Sequence, residues 1–332
     1  MTTDTHHAPP AVKVASGRLL QIGERYGLVV LLLALIIFFT VLNPGMFLTA
    51  ANWKAIGLSQ SVTIVLGLAL MLPLVSGNFD LSVGGAALMC SMVSAATMSR
   101  YHWPVALAVL VPVALGVLIG VVNGILVTTA RLTGLIATIG TATVLQALLV
   151  WYSDNLPIAT GLDAGFLAVG TGDVFGVPYL AIVALVICLL THYLLVQTPF
   201  GRRLVAIGSN PAAAKLVGIR VDRMVVASYA FAGGMAGFAG VMMVAQQGSA
   251  NPSTDGIGIL VSALTIVFLG ATAFRPGEFN VPGMIVALLL AAVLVSGLTL
   301  AGVADWVNPL SYGLALIVGV GVSAYFRTKR VG

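Results

Sequence analysis

The stretch LVSGNFDLSVGG, Leu74 to Gly85, sets one carboxylate, Asp80, inside a tract running from residue 55 to residue 99 that carries no other charge. Those forty-five residues suffice for two membrane-crossing helices of about 20 residues each, joined by a short connection at GNFD. The tract therefore reads as a helical hairpin in lipid. The rest of the chain agrees: 59% of its 332 residues are hydrophobic and 8% are charged, whereas soluble domains carry about a quarter charged residues. Its apolar runs are continuous instead of alternating at every second residue, which favours helices over a barrel.

Working outward from Asp80, apolar runs fall at Tyr26–Leu42, Ile56–Val75, Leu81–Met98, Val105–Ala130, Leu132–Trp151, Val177–Val196, Val225–Val244, Ile257–Ala273, Val281–Leu300 and Val307–Phe326. The expected fold is an all-α integral membrane protein of about ten transmembrane helices, with discontinuous or re-entrant elements where Gly and Pro interrupt the runs. Orientation follows from the basic residues, which concentrate on the cytoplasmic side of membrane proteins. With the amino terminus inside, thirteen of the fifteen Lys and Arg residues lie in inner segments, and Lys54 and Arg100 alone lie outside. Both termini are then cytoplasmic. Residues 1–25 form a polar tail without a signal-peptide core, 26–326 the transmembrane domain with a cytoplasmic segment at 197–224, and 327–332 a basic tail. His6 and His7 read as part of a solvated tail. The net charge of +5 is explained by a basic rim beside anionic membrane lipid and calls for no nucleic-acid partner.

Gly116, Gly120 and Gly124 recur every four residues, as do Gly233 with Gly237 and Ala236 with Gly240. Such small faces let helices approach closely in lipid, and packing within one subunit is the expected use. Cys90 and Cys188 lie inside apolar runs and read as small packing residues. No nucleophile, base and orienting acid occur together, and no His or Cys cluster has metal-ligand spacing. No catalytic residue and no metal site is expected.

The inner segment QTPFGRRLVAIGSNPAAAKLVGIRVDRM, Gln197 to Met224, encodes its own short helix. Asn210 suits the N-cap and Pro211 the first helical position; Ala212, Ala213 and Ala214 are strong helix formers, Lys215 comes late, and Gly218 ends it. So short a helix is unstable alone and must rest on something. An interfacial helix on the membrane is one reading. A docking helix for a cytoplasmic protein is the other, and its small alanine face suits a partner's cleft better than lipid.

TPFGRRLVAIGSNPAAAKLVGI resembles the cytoplasmic coupling segment of the sugar-importer permeases of ATP-binding cassette transporters, the ribose, arabinose and xylose type. SGNFDLSVGG is similar to the Gly-Gly-Ile-Asp-Leu-Ser-Val-Gly signature of the same family. The resemblance implies a permease subunit for a monosaccharide or related polyol. It places Asn210, Pro211, Ala213, Ala214, Lys215 and Gly218 in the element that couples to the ATPase, and Gly77, Asn78, Asp80, Leu81, Ser82 and Gly84 in a signature loop of the translocation region. It further implies a separate cytoplasmic ABC ATPase carrying the ATP and Mg²⁺, an extracytoplasmic sugar-binding protein, and a second permease copy or paralogue, with no cofactor in this chain. The chain departs from the family where Ile259 to Leu264 replace a stretch that usually carries two acids.

An ionised carboxylate at the bilayer centre costs about 2.5 kcal/mol or more, so Asp80 must be paired, hydrated or near a surface. Span lengths favour a position near a surface, where the side chain of Asp80 or Ser82 accepts hydrogen bonds from free N–H groups at the start of the next helix. Direct contact with solute, along spans broken partway across, is the other reading. Ion-coupled transporters bury titratable groups in their spans, but here Asp80, Arg131, His192 and Glu278 all fall at span edges, and no GxxxxGK[ST] phosphate loop occurs. Energy must then come from another protein. The alternative function is a secondary transporter or channel for a small neutral solute, which would work without ATP. Asn251, Ser253, Thr254 and Asp255, with the acidic connection 153–176, are the expected binding-protein face.

Overall fold

The computed structural model describes residues 12–304 and 306–331, with side chains for 25–304 and 306–322. The expected tails at 1–11 and around residue 332, including His6 and His7, lie outside the described residues, as do the side chains of the basic tail. The chain folds into helices α1 (Val12–Leu42), α2 (Ala50–Val75), α3 (Val83–Ser99), α4 (Val105–Thr128), α5 (Gly134–Ser153) and the short α6 (Ala164–Thr171). A two-stranded hairpin, β1 (Asp173–Val174) and β2 (Val177–Pro178), precedes α7 (Tyr179–Gln197). Then follow α8 (Pro199–Ser209), α9 (Pro211–Leu216), α10 (Val221–Gln247), α11 (Gly256–Gly270), α12 (Val281–Leu300) and α13 (Val307–Val331).

Each of the ten apolar runs is a helix, but length separates them. Seven are long and apolar enough to cross a membrane: Arg25–Leu42 of α1, with α2, α4, α5, α7, α10 and α12. The apolar helices α3, α11 and Val307–Val322 of α13 are shorter. At 1.5 Å per residue the 17 residues of α3 span about 25 Å, less than a hydrocarbon core of about 30 Å. The shortfall is local in origin. Residues 76–82 leave the helical path before α3 begins, and the helix that follows is buried along nearly its whole length, so it need not meet lipid alone.

Helices α2, α3 and α10 form the centre of the bundle, and their buried residues join in one hydrophobic core. The outer helices α1, α4, α5 and α7 turn large apolar side chains outward, among them Val30, Ile37, Leu110, Leu118, Leu189 and Leu190. A protein surface this apolar suits lipid, where helices satisfy their own backbone hydrogen bonds.

The small faces predicted from sequence meet within the one chain. A Cβ added at Gly116 would overlap the carbonyl of Gly233, one at Gly120 the carbonyl of Tyr229, and one at Gly124 would come within 2.7 Å of the Val226 Cα. Helices α4 and α10 therefore cross with backbones in contact, which only residues without a side chain allow. Replacing Gly120 by Val should cost at least about 3 kcal/mol, read as a lower melting temperature of the purified protein in detergent. Gly140, with nothing within 4 Å of an added Cβ, should accept Ala within about 0.5 kcal/mol.

Candidate functional site

Helix α2 ends at Val75, two residues after Pro73, with Ser76 as its C-cap. Gly77 then takes a left-handed φ of 83°, which side chains disfavour. Asn78 donates to the Ser76 carbonyl at 3.3 Å and to its hydroxyl at 3.1 Å, closing the turn. The loop reaches the surface at Gly77 and Phe79, whose ring stacks on Phe268 at 6.3 Å. Asp80 turns the other way and is only 1% exposed. The loop thus lies at a surface of the chain while its carboxylate points inward.

Hydrogen bonds replace the water. One oxygen of Asp80, Oδ1, accepts from the Ser82 backbone N–H at 3.0 Å and from the Ser82 hydroxyl at 2.6 Å. Ser82 is the N-cap of α3, so Asp80 satisfies an N–H at a helix start, where the helix dipole also favours negative charge. Of the two side chains expected there, Asp80 accepts the N–H, and the Ser82 side chain makes no cap hydrogen bond. Its hydroxyl instead accepts from Asn123 Nδ2 of α4 at 2.8 Å, and Asn123 Oδ1 accepts from the Thr141 hydroxyl of α5 at 2.6 Å.

Two further bonds hold the loop backbone. The Leu81 N–H donates to Thr138 Oγ1 of α5 at 2.9 Å, and the Tyr229 hydroxyl of α10 donates to the Phe79 carbonyl at 2.8 Å. Asn123, Thr138 and Tyr229 are fully buried. Gly84 and Gly85 open the crossings beside the loop: a Cβ at Gly84 would overlap the Gly256 carbonyl of α11, and one at Gly85 would touch Ala142 of α5.

The second group of residues lies close by. In α8, Gly208 packs so tightly on the end of α2 that a Cβ there would overlap the Val75 carbonyl. Asn210 Oδ1 accepts from the Ala213 N–H at 3.0 Å, Pro211 opens α9, and Gly218, at a φ of 83°, lies just past its end. Ala213 and Lys215 are exposed. Ala214 is buried, at 3%, in a cluster with Ile207, Val225 and Tyr229. Ala214 thus packs on its own chain, and the small alanine face is only partly available to a partner. What α9 does present is bulkier: Leu216 and the following Val217 are 89% and 77% exposed. Sequence reasoning passed over both.

The loop and α9 share the end of the bundle that carries Arg131, Arg202, Arg203, Arg220 and Arg223. A cleft of about 880 Å³ opens there between the ends of α2 and α7, α8 and residues 274–282. Its walls include His192, Arg202, Arg275 and Glu278.

At the opposite end, Asn251 Oδ1 accepts from the Ser253 N–H at 2.9 Å, Thr254 N–H donates to the Asn251 carbonyl at 3.3 Å, and Asp255 caps α11 through the Ile257 N–H at 3.1 Å. These residues build a turn whose Asn251, Ser253 and Asp255 stay exposed. Ile158 and Ala250 form an isolated antiparallel bridge, which fastens this turn to the acidic connection. Within that connection Asp163 caps α6 through Phe166 N–H at 2.8 Å. Asp173 is paired with Lys54, whose hydrogen bond holds its carboxyl below the usual range. Among the described residues, no group of three or more His, Cys, Asp or Glu could hold a metal ion.

The family described as branched-chain amino acid transport system / permease component matches residues 55–320. The chain is 33% identical over 290 residues to the ribose import permease protein RbsC of Bacillus subtilis, covering 87% of this chain and 89% of that protein. It is 30% identical to the fructose import permease protein FrcC of Rhizobium meliloti, over 90% of this chain and 85% of the relative. It is 29% identical to the L-arabinose transport system permease protein AraH of Escherichia coli K12, over 90% of each. No solved structure matches the chain.

Asp80→Ala should leave the Ser82 N–H and hydroxyl without their acceptor in a buried site, at a cost of about 1–3 kcal/mol. Asp80→Asn keeps an accepting oxygen and should lose less. Thermal melting of the two variants in one detergent checks the order, and equal melting of Ala and wild type would contradict it.

Proposed function

Because the chain belongs to the family of transport-system permease components matched above, we propose that it is the membrane subunit of an ATP-binding cassette importer for a monosaccharide or related polyol. The solute class rests on relatives named for ribose, fructose and arabinose, each aligned over most of its length. A nearly charge-free bundle suits a neutral solute better than an ion. The protein is a multi-pass component of the bacterial inner membrane.

The finer arrangement follows from charge. Ten helices, with the basic end inside, put both termini, α8 and α9 in the cytoplasm. An external sugar-binding protein then meets the exposed turn at Asn251, Ser253 and Asp255. A separate ATPase, carrying ATP and Mg²⁺, engages α9, and a second permease copy or paralogue completes the pathway. This chain needs no cofactor of its own. Each partner drives transport by favouring one state of the bundle over another.

The observation that carries the reading is the exposed apolar pair Leu216 and Val217 on a helix that Asn210 and Gly218 delimit. Bulky apolar side chains on a polar connection are left for a protein partner to cover. Replacing both by Asp should abolish co-purification of the ATPase and ATP-dependent uptake, with the melting temperature of the permease unchanged. ATPase retained at the wild-type level would refute the docking role. Ala214→Asp, by contrast, should destabilise the permease itself, because it buries a charge against Tyr229 and Val225.

A further inference from the structure

We infer that Tyr229 is the positioning residue that transmits movement of α9 to the Asp80 loop, an inference that rests on the coupling role proposed for α9. One side chain belongs to both places. Its ring is fully buried in the small cluster that receives Ala214 of α9, with Ile207 of α8 and Val225 of α10. Its hydroxyl, at the far end of that ring, donates to the Phe79 carbonyl at 2.8 Å, one residue before Asp80.

Nothing slack lies between the two contacts. A Cβ added at Gly134, the first residue of α5, would stand 2.7 Å from the Tyr229 hydroxyl and 2.9 Å from the Phe79 carbonyl. A Cβ at Gly120 would overlap the Tyr229 backbone carbonyl, so α4 fixes the base of the side chain as α5 fixes its tip. The ring is held at both ends. A displacement of α9 that shifts Ala214 therefore moves Tyr229, and the loop follows or its hydrogen bond breaks.

The bond is also the kind that can report a change of state. Phe79 belongs to a non-helical loop, and losing the tyrosine hydroxyl removes the bond that ties its part-buried carbonyl to α10. Two arrangements, with the bond closed or open, are thus well separated instead of continuous, as a two-state element requires. From this bond the loop continues through Asp80, Ser82, Asn123 and Thr141 into α3, α4 and α5.

Two variants interrupt the link independently. Tyr229→Phe removes the hydroxyl and keeps the ring in the cluster that holds Ala214. Gly134→Ala leaves Tyr229 intact and displaces its hydroxyl from Phe79. Each is assembled with the co-purifying ATPase and the binding protein in proteoliposomes, and ATP hydrolysis and solute uptake are measured together. The ATPase should remain bound in both variants, and solute moved per ATP hydrolysed should fall about tenfold, within the range of couplings carried between sites. A merely structural role would lower uptake and hydrolysis in step and leave their ratio at the wild-type value; that result in both variants overturns the inference. Absence of the ATPase from the wild-type preparation would overturn the docking role of α9 and this inference with it.

Discussion

The constraint on which the rest depends is that the bent backbone between α2 and α3 must satisfy the polar groups it turns into the bundle. A helix in lipid closes its own hydrogen bonds, but residues 76–82 are not helical. Their partners come from four places in the sequence: Asp80 and Ser82 within the loop itself, Asn123 on α4 with Thr141 of α5 behind it, Thr138 on α5, and Tyr229 on α10. Once those residues are committed, the relative positions of α3, α4, α5 and α10 are largely settled. The carboxylate of Asp80 is tolerable for the same reason, since its charge is spread into two short donors at the head of α3.

The second requirement is close approach. Hydrophobic exclusion does not drive helices together in lipid as it does in water, so packing contacts matter more. The glycines facing each other on α4 and α10 bring two backbones into contact, and Gly208 does the same between α8 and the end of α2. That last contact matters for function. It presses the polar connection at the basic end onto the base of the bundle, so α8 and α9 are seated parts of the protein and not a loose loop.

Local features were legible in the sequence, and tertiary ones were not. The ten apolar runs, the cap at Asn210, the stop at Gly218 and the small faces of α4 and α10 depend on neighbours in the chain, and the structure shows each in place. The burial of Asp80 within the chain depends on which way one side chain turns at the end of a hairpin, which span lengths do not determine. Asn123, Thr138, Thr141 and Tyr229 gave a weaker signal, each being a solitary polar residue in an apolar run. Their meaning lay in meeting one another. The two sides of α9 were misjudged for a related reason: alanines make good helix, but helical phase against Tyr229 decides that Ala214 faces inward and Leu216 outward.

The bridge between Ile158 and Ala250 ties two stretches that are far apart in the chain, with an N–H to carbonyl bond of 2.9 Å in each direction. Lys54, in the first turns of α2, is paired with Asp173 of the hairpin beyond α6. The extremity remote from α9 is thereby tied across at two points. Parting the turn at Ala250 from the connection at Ile158 breaks two backbone hydrogen bonds, and parting the hairpin from α2 breaks an ion pair.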